Sequence, residues 1–291
     1  MLSDAHTTMD PAHSELSRAM VSAVEQMQAF PVSVQSILKL TGDAACSPKE
    51  LVEVIHKDPI VTVKILRVVN SVYYSLPRKI ISVDHAVVLL GFNTIKNLAL
   101  SIAAVGMLPT NPLAGFDGQR YLLHSLTVAG LARQLASRFT QADPQDFFIA
   151  GLLHDFGKVV VAQGMPAEFR RAWEYGLWNE TSLHAALQAV AGVDHAEIGA
   201  MLLEKWRFPA VLVAAIRQQH CEGPDCSDMA LAVYAANQIS NRLGLDFGAP
   251  PQLQELLPAM AQRLGGTLDK ITQAMGDLEP LLQEARRFSR I

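Results

Sequence analysis

Cysteine, charge, long apolar runs and alternating patterns are all scarce in this chain, and each shortage excludes something. Three cysteines in 291 residues, Cys46, Cys221 and Cys226, cannot build a disulfide framework, and an odd count fits a reducing compartment. Cys221 and Cys226 stand near His220, but the spacing fits no standard zinc pattern, so they read as surface thiols. The longest apolar run, residues 98–108, is shorter than the roughly 20 residues a bilayer span needs. Residues 1–13 carry acids and no apolar core, so they do not read as a signal peptide. A net charge of -4 and a pI near 6.1 give no electrostatic reason to expect nucleic acid as a partner. These absences predict a soluble cytoplasmic protein with no membrane and no direct nucleic-acid partner. Charged residues are only 18% while half the chain is hydrophobic, so some apolar surface is left for a partner protein. Period-two alternation is absent, and no repeat of fixed length is found. The β-branched run Val159, Val160, Val161 is the one short segment that reads as a strand.

What is there is a succession of helix signals. Ser47, Pro48 and Glu50 form a capping box with proline at the first helical position. Asp58-Pro59 starts a second helix, which Asn70 and Ser71 end. Ser82 caps a short helix closed by Gly91, and an apolar helix follows from Asn93. Residues 107–118, with two prolines and two glycines, read as a linker. Beyond it the pattern predicts helices over 119–139, from Asp143-Pro144 to His154, from Asp194 with Glu197 as a reciprocal cap, from Pro209 to His220, and over 229–243. The expected fold is all-α: a two-lobed helical bundle in which an N-terminal helical lobe packs on a second lobe rich in histidine. We divide it into a weakly ordered terminus at 1–16, a module at 17–243 with lobes 17–108 and 119–243, and a C-terminal helical extension at 244–291. The extension holds Pro250-Pro251 and two amphipathic segments, which either pack on the core or dock a partner.

The chemistry-bearing residues sit beside apolar helix faces. Gly151, Leu152, Leu153, His154, Asp155, Phe156, Gly157 and Lys158 place an adjacent His and Asp inside an apolar segment. A buried carboxylate is costly unless something cationic or hydrogen-bonding meets it. His124, His195 and His220 lie at comparable positions on other helices, and a helical bundle is a common place for such groups to converge on a metal. Each residue has a plainer reading. His154 and Asp155 can form a hydrogen-bonded corner, with His124 bonded to Asp155. His195 can satisfy free N–H groups at a helix start, and His220 can be a partly exposed helix end. Lys158 can bind a phosphate, or pair with a nearby acid or reach to water.

The segments then carry a family resemblance. Phe30-Pro31, Asp58-Pro59, Lys64 to Leu66, Asn70-Ser71 with Tyr73-Tyr74, Ile80 to Ser82, and Leu89-Leu90-Gly91 with Asn93-Thr94 resemble the HDOD ("HD-related output domain") proteins of bacterial signalling. These lie within the HD superfamily of metal-dependent phosphohydrolases, and the resemblance spans about residues 20–243. It implies that His124 matches the early metal-binding His, that His154 and Asp155 match the His-Asp pair, and that Lys158 matches the Lys after it. His195 and His220 resemble further ligands of two-metal cyclic-dinucleotide phosphodiesterases. Three positions depart from that pattern. Asn237 replaces the late Asp ligand, Gln219 replaces one of a His pair with no Gly-Tyr-Pro signature after it, and Arg120 stands where an acid is expected. The resemblance thus implies a signalling output module acting through protein contacts with two-component or cyclic-dinucleotide proteins, its site degenerate and without hydrolase activity. The alternatives are a phosphohydrolase acting on a nucleotide or cyclic dinucleotide, using Lys158 and one divalent metal (Fe, Mn, Zn or Mg), and a nucleotide sensor with Arg120, Lys158, Gln219 and Asn237 lining its pocket.

The stretch 70–74 is open to two readings as well, a recognition loop or a helix end whose aromatics anchor the two lobes.

Overall fold

The computed structural model describes residues 11–27, 35–37, 47–74, 76–109, 115–220, 223, 225–248 and 253–290. Phe30-Pro31, Cys46, Cys221 and Pro250-Pro251 lie outside the described residues. Every regular element among the described residues is a helix, in agreement with the all-α expectation. In chain order they are α1 (Pro11–Gln26), α2 (Pro48–His56), α3 (Pro59–Val69), α4 (Val83–Leu90) and α5 (Phe92–Val105). Then come α6 (Gly118–Phe139), α7 (Pro144–Leu153), α8 (Phe156–Gly164), α9 (Pro166–Trp178) and α10 (Leu183–Ala191). The chain continues with α11 (His195–Lys205), α12 (Ala210–Arg217), α13 (Asp228–Arg242), α14 (Pro258–Leu264), α15 (Leu268–Met275) and α16 (Glu279–Ser289). No helix among them is long and apolar enough to cross a membrane.

Local chemistry sets most of the boundaries. Ser47 and Glu50 make the full reciprocal cap of α2, and the Asp58 carboxylate accepts from the first free N–H groups of α3. Asn70 ends α3 and does more than cap it. Its side chain bonds the Leu66 carbonyl and both the N–H and C=O of Ile80, each at 2.7 Å. Gly91 closes α4 at φ 85°, a conformation that disfavours any residue with a Cβ. Two expectations fail for tertiary reasons. Val159, Val160 and Val161 are helical, inside α8, and fully buried. Packing on every side outweighs their strand preference. At α11 the reciprocal cap does not form, because Arg217 takes the Glu197 carboxylate at 2.8 Å while Asp194 alone caps the helix.

α6 is the axis of the molecule, with α7, α13 and α16 packed on it. Helices α2 to α5 pack together, and α5 joins them to α7. Tyr73 and Tyr74 are buried with their rings 5.0 and 5.9 Å from Phe148, so they anchor the turn after α3 to α7. Helix α16 lies on α6 at Gly130, where a Cβ would come within 2.7 Å of Leu281. The C-terminal segments therefore pack on the core. Helix α1 packs on α8 and α11, and Lys205 at the end of α11 bonds the carbonyls of Val24 and Glu25. Cys226 is buried, its thiol directed at the Gly223 carbonyl, which corrects its reading as a surface thiol. The apolar surface expected from the low charge is present. Ile60, Val63, Ile81 and Val88 are each at least 60% exposed on α3, α4 and the turn between them.

Candidate functional site

Two glycines bring the site together. At Gly151 a Cβ would stand 2.6 Å from the Cα of Ala129, so α7 can lie against α6 only without one. That approach sets His154 beside His124, ring centroids 5.2 Å apart. At Gly157 a Cβ would stand 1.8 Å from the His195 carbonyl oxygen, so the first turn of α8 is seated directly on the start of α11. His154 and Asp155 form the two-residue corner between α7 and α8, both fully buried.

Asp155 is the hub. Lys158 Nζ donates to its Oδ2 at 2.6 Å, with His154 Nε2 at 3.4 Å and His124 Nε2 at 3.5 Å from the same oxygen. His195 Nε2 meets the other oxygen, Oδ1, at 3.1 Å. Burial alone would raise the Asp155 pKa. The Lys158 ammonium and the His195 hydrogen bond are among the contacts that outweigh burial and hold it well below the usual carboxylate range. His154 is pushed down to about 3 because burial penalises its charged form. Its Nδ1–H donates to the Gly151 carbonyl at 2.8 Å, which leaves the Nε2 lone pair facing inward with no hydrogen-bond partner. His124 is held the same way, Nδ1 on the Leu245 carbonyl at 2.7 Å. Backbone carbonyls thus orient both rings with Nε2 toward Asp155, an arrangement that supports metal ligation. One ligand atom from each of His124, His154 and Asp155 lies within 4.8 Å of the others.

His195 and His220 join the cluster too, Nε2 to Nε2 at 3.2 Å. So His195 does not serve its helix N-terminus, and His220 faces inward. The structure adds a residue that the sequence does not single out, His184. Its Nδ1 is 3.2 Å from His195 Nδ1, and its ring stacks on His220 with centroids 3.8 Å apart. His184 lies in the first turn of α10, 36 positions before His220, and nothing local marks it. Burial lowers His184 to about 4 and also lowers His195 and His220, so all three rings are neutral at pH 7.

The remaining predicted residues are spread around this core. Asn237, Lys158, His124, His184 and His220 line one cavity of about 260 Å³, with Tyr234 and Asp246 also in its wall. Gln219 donates to the His154 carbonyl at 2.5 Å and so holds the corner from behind. Arg120 turns to Asp246, bonding its carboxylate at 2.8 Å and its carbonyl at 3.0 Å.

With this geometry in view, the comparisons with known proteins converge. A family model described as HDOD domain matches residues 27–222. An uncharacterized protein of Treponema pallidum (strain Nichols) is 24% identical over 213 residues. The match takes in 71% of this chain but only 40% of that protein, so the chain spans less than half of this curated relative. Among solved structures, an HDOD domain protein with unknown function from Geobacter sulfurreducens superposes with a TM-score of 0.72 at 23% identity, covering 94% of this chain and 96% of that one. A protein from Shewanella amazonensis SB2B, provisionally named a phosphohydrolase, gives 0.71 at 23% identity, covering 92% and 97%. At that identity both likenesses concern the fold.

Proposed function

We propose that this chain, which belongs to the HDOD domain family, is a regulatory module of bacterial signal transduction that works through protein contacts and hydrolyses no phosphoester. The observation that carries the reading is that the two histidine groups of the site hold a single acid, Asp155. A two-metal hydrolase needs several anionic ligands, one of them bridging, to neutralise both cations and orient a water. Among His124, His154, Asp155, Lys158, His184, His195 and His220, Asp155 is the only acid, and an ammonium already holds its Oδ2. Asn237 adds no charge, and Asp246, an acid of the cavity wall, is already paired with Arg120.

The residues fit one divalent metal such as iron, manganese, zinc or magnesium. His124, His154 and Asp155 would hold it, and the unpartnered His154 Nε2 is the atom that favours it. Such an ion would lower the pKa of a bound water or polarise a phosphoryl oxygen. Lys158 would have to release Asp155 first. The same cavity, with Lys158 in its wall, supports the second reading of a nucleotide site without turnover. The protein-contact reading draws on the exposed apolar residues of α3 and α4 and on the family resemblance to output domains of two-component and cyclic-dinucleotide signalling.

The test is hydrolysis of bis(p-nitrophenyl) phosphate and of cyclic dinucleotides with added Mn²⁺, Fe²⁺ or Mg²⁺. The wild type is measured beside a His154→Ala/Asp155→Ala variant. Equal background rates are expected. Metal-dependent turnover that disappears in the variant would overturn the proposal.

A further inference from the structure

A second cavity, away from the histidines, plays no part in the function just proposed. Leu98 and Ile102 of α5, Leu126 of α6, Leu152 of α7 and Phe288 of α16 form its walls, and Lys64 and Arg67 of α3 share the lining. It has no lining residue in common with the histidine cavity, and no acid lines it. Its volume is about 100 Å³. An apolar cavity of roughly 150 Å³ takes up a benzene, so this one suits a narrower body, such as a hydrocarbon chain entering end-on. Arg67 is exposed and Lys64 half-buried, which places the mouth on α3.

The two cations decide which apolar ligand fits. They stand three positions apart and so on one face of α3. Among the described residues neither pairs with a carboxylate. Long cationic side chains lay their stems on apolar surface and keep their heads in water, so the stems line the cavity and the heads stand at its mouth. A ligand with an apolar tail and an anionic head uses both parts. The tail is buried, and the head accepts charge-assisted hydrogen bonds from the ammonium and the guanidinium. A plain hydrocarbon leaves the cations unused, and an amine is repelled by them.

We propose that this cavity binds a short unbranched alkyl carboxylate, its chain among Ile102, Leu126 and Leu152 and its carboxylate on Lys64 and Arg67. The walls come from α3, α5, α6, α7 and α16, so the ligand touches the N-terminal helices, the axis helix and the C-terminal helix together. Its binding therefore stabilises the packing of these segments on one another.

The experiment titrates the full chain with butanoate, hexanoate and octanoate by calorimetry, at constant ionic strength and below micelle formation, and follows the melting temperature. Hexan-1-ol and hexylamine are the controls. One equivalent should bind, with affinity rising roughly fourfold per added CH₂ until the cavity is full, and the melting temperature should rise with it. The double variant Lys64→Gln/Arg67→Gln should weaken hexanoate by about tenfold or more and leave hexan-1-ol unchanged. Val105→Phe, at a half-buried position of the lining, should fill the cavity and abolish binding of all three acids. Circular dichroism checks that each variant folds, and Leu122→Phe, also half-buried in the lining, decides if Val105→Phe does not. No saturable binding by the wild type at millimolar acid would refute the site. So would hexan-1-ol or hexylamine binding as tightly as hexanoate, or an affinity indifferent to the folded filling variant. Turnover is not read here, so this site and the absence of hydrolysis can fail separately.

Discussion

Acidification from pH 7 to pH 5 should destabilise the metal-free protein through histidines that the fold keeps neutral. His154 is fully buried, and its pKa is pushed from about 6.5 to about 3. In this window the unfolded chain takes up a proton that the folded chain refuses. The folded pKa lies below the unfolded one, so this histidine costs nothing above about pH 6.5 and increasingly more as pH falls toward 3. Each pH unit below the unfolded value costs about 1.4 kcal/mol, so about 2 kcal/mol is lost at pH 5 from His154 alone. His184, lowered to about 4, and His195 and His220, also lowered, act in the same direction. Asp155 is held well below its ordinary value, so its contribution is constant over this range and is lost only at much lower pH. Guanidinium unfolding at pH 7, 6 and 5 measures the effect, with His154→Gln as the comparison. The variant should lose about 2 kcal/mol less than the wild type between pH 7 and 5. Identical midpoints for the wild type at pH 7 and 5 would refute the reasoning, as would equal losses in both proteins.

Three further outcomes follow from the contacts. Lys158→Met leaves a buried carboxylate without its ammonium and should cost about 3–5 kcal/mol at pH 7, measured by chemical unfolding, with Asp155→Asn in the same chain recovering part of it. Gly157→Ala drives a Cβ into the His195 carbonyl and should cost about 3 kcal/mol or more, visible as a lowered melting temperature or loss of soluble protein. Asn70→Ala removes three hydrogen bonds that clasp α3 to the Ile80 backbone and should cost about 2 kcal/mol. Unchanged unfolding would show that water replaces them without loss.

The features legible in the sequence are those whose causes are local. Ser47 with Glu50, Asp58 with Pro59, and Gly91 each fix a helix end through groups within four residues, and the helices start and stop there. The His-Asp corner is legible because two polar residues interrupt an apolar segment. Long-range competition is not. Glu197 reads as a capping partner until Arg217, 20 positions on, takes its carboxylate. The three valines of α8 read as a strand until burial on all sides makes their helix one of the best-packed in the molecule. His184 carries no signal, since its meaning comes from α10, α11 and the turn after α12 meeting in space. Whether the C-terminal segments pack on the core is likewise open in the sequence, because the answer lies at Gly130, far from them along the chain.

The seat of Gly157 on the His195 carbonyl also has a spatial consequence. With no side chain between them, the backbones of α8 and α11 are in direct contact, which places the Asp155 corner against the first turn of α11. Helix α11 is 11 residues, about 16 Å, long, and its far end grips the α1 backbone through Lys205. One rigid helix therefore touches the histidine cluster at its first residue and the N-terminal helix at its last, joining two parts of the chain about 180 residues apart in sequence.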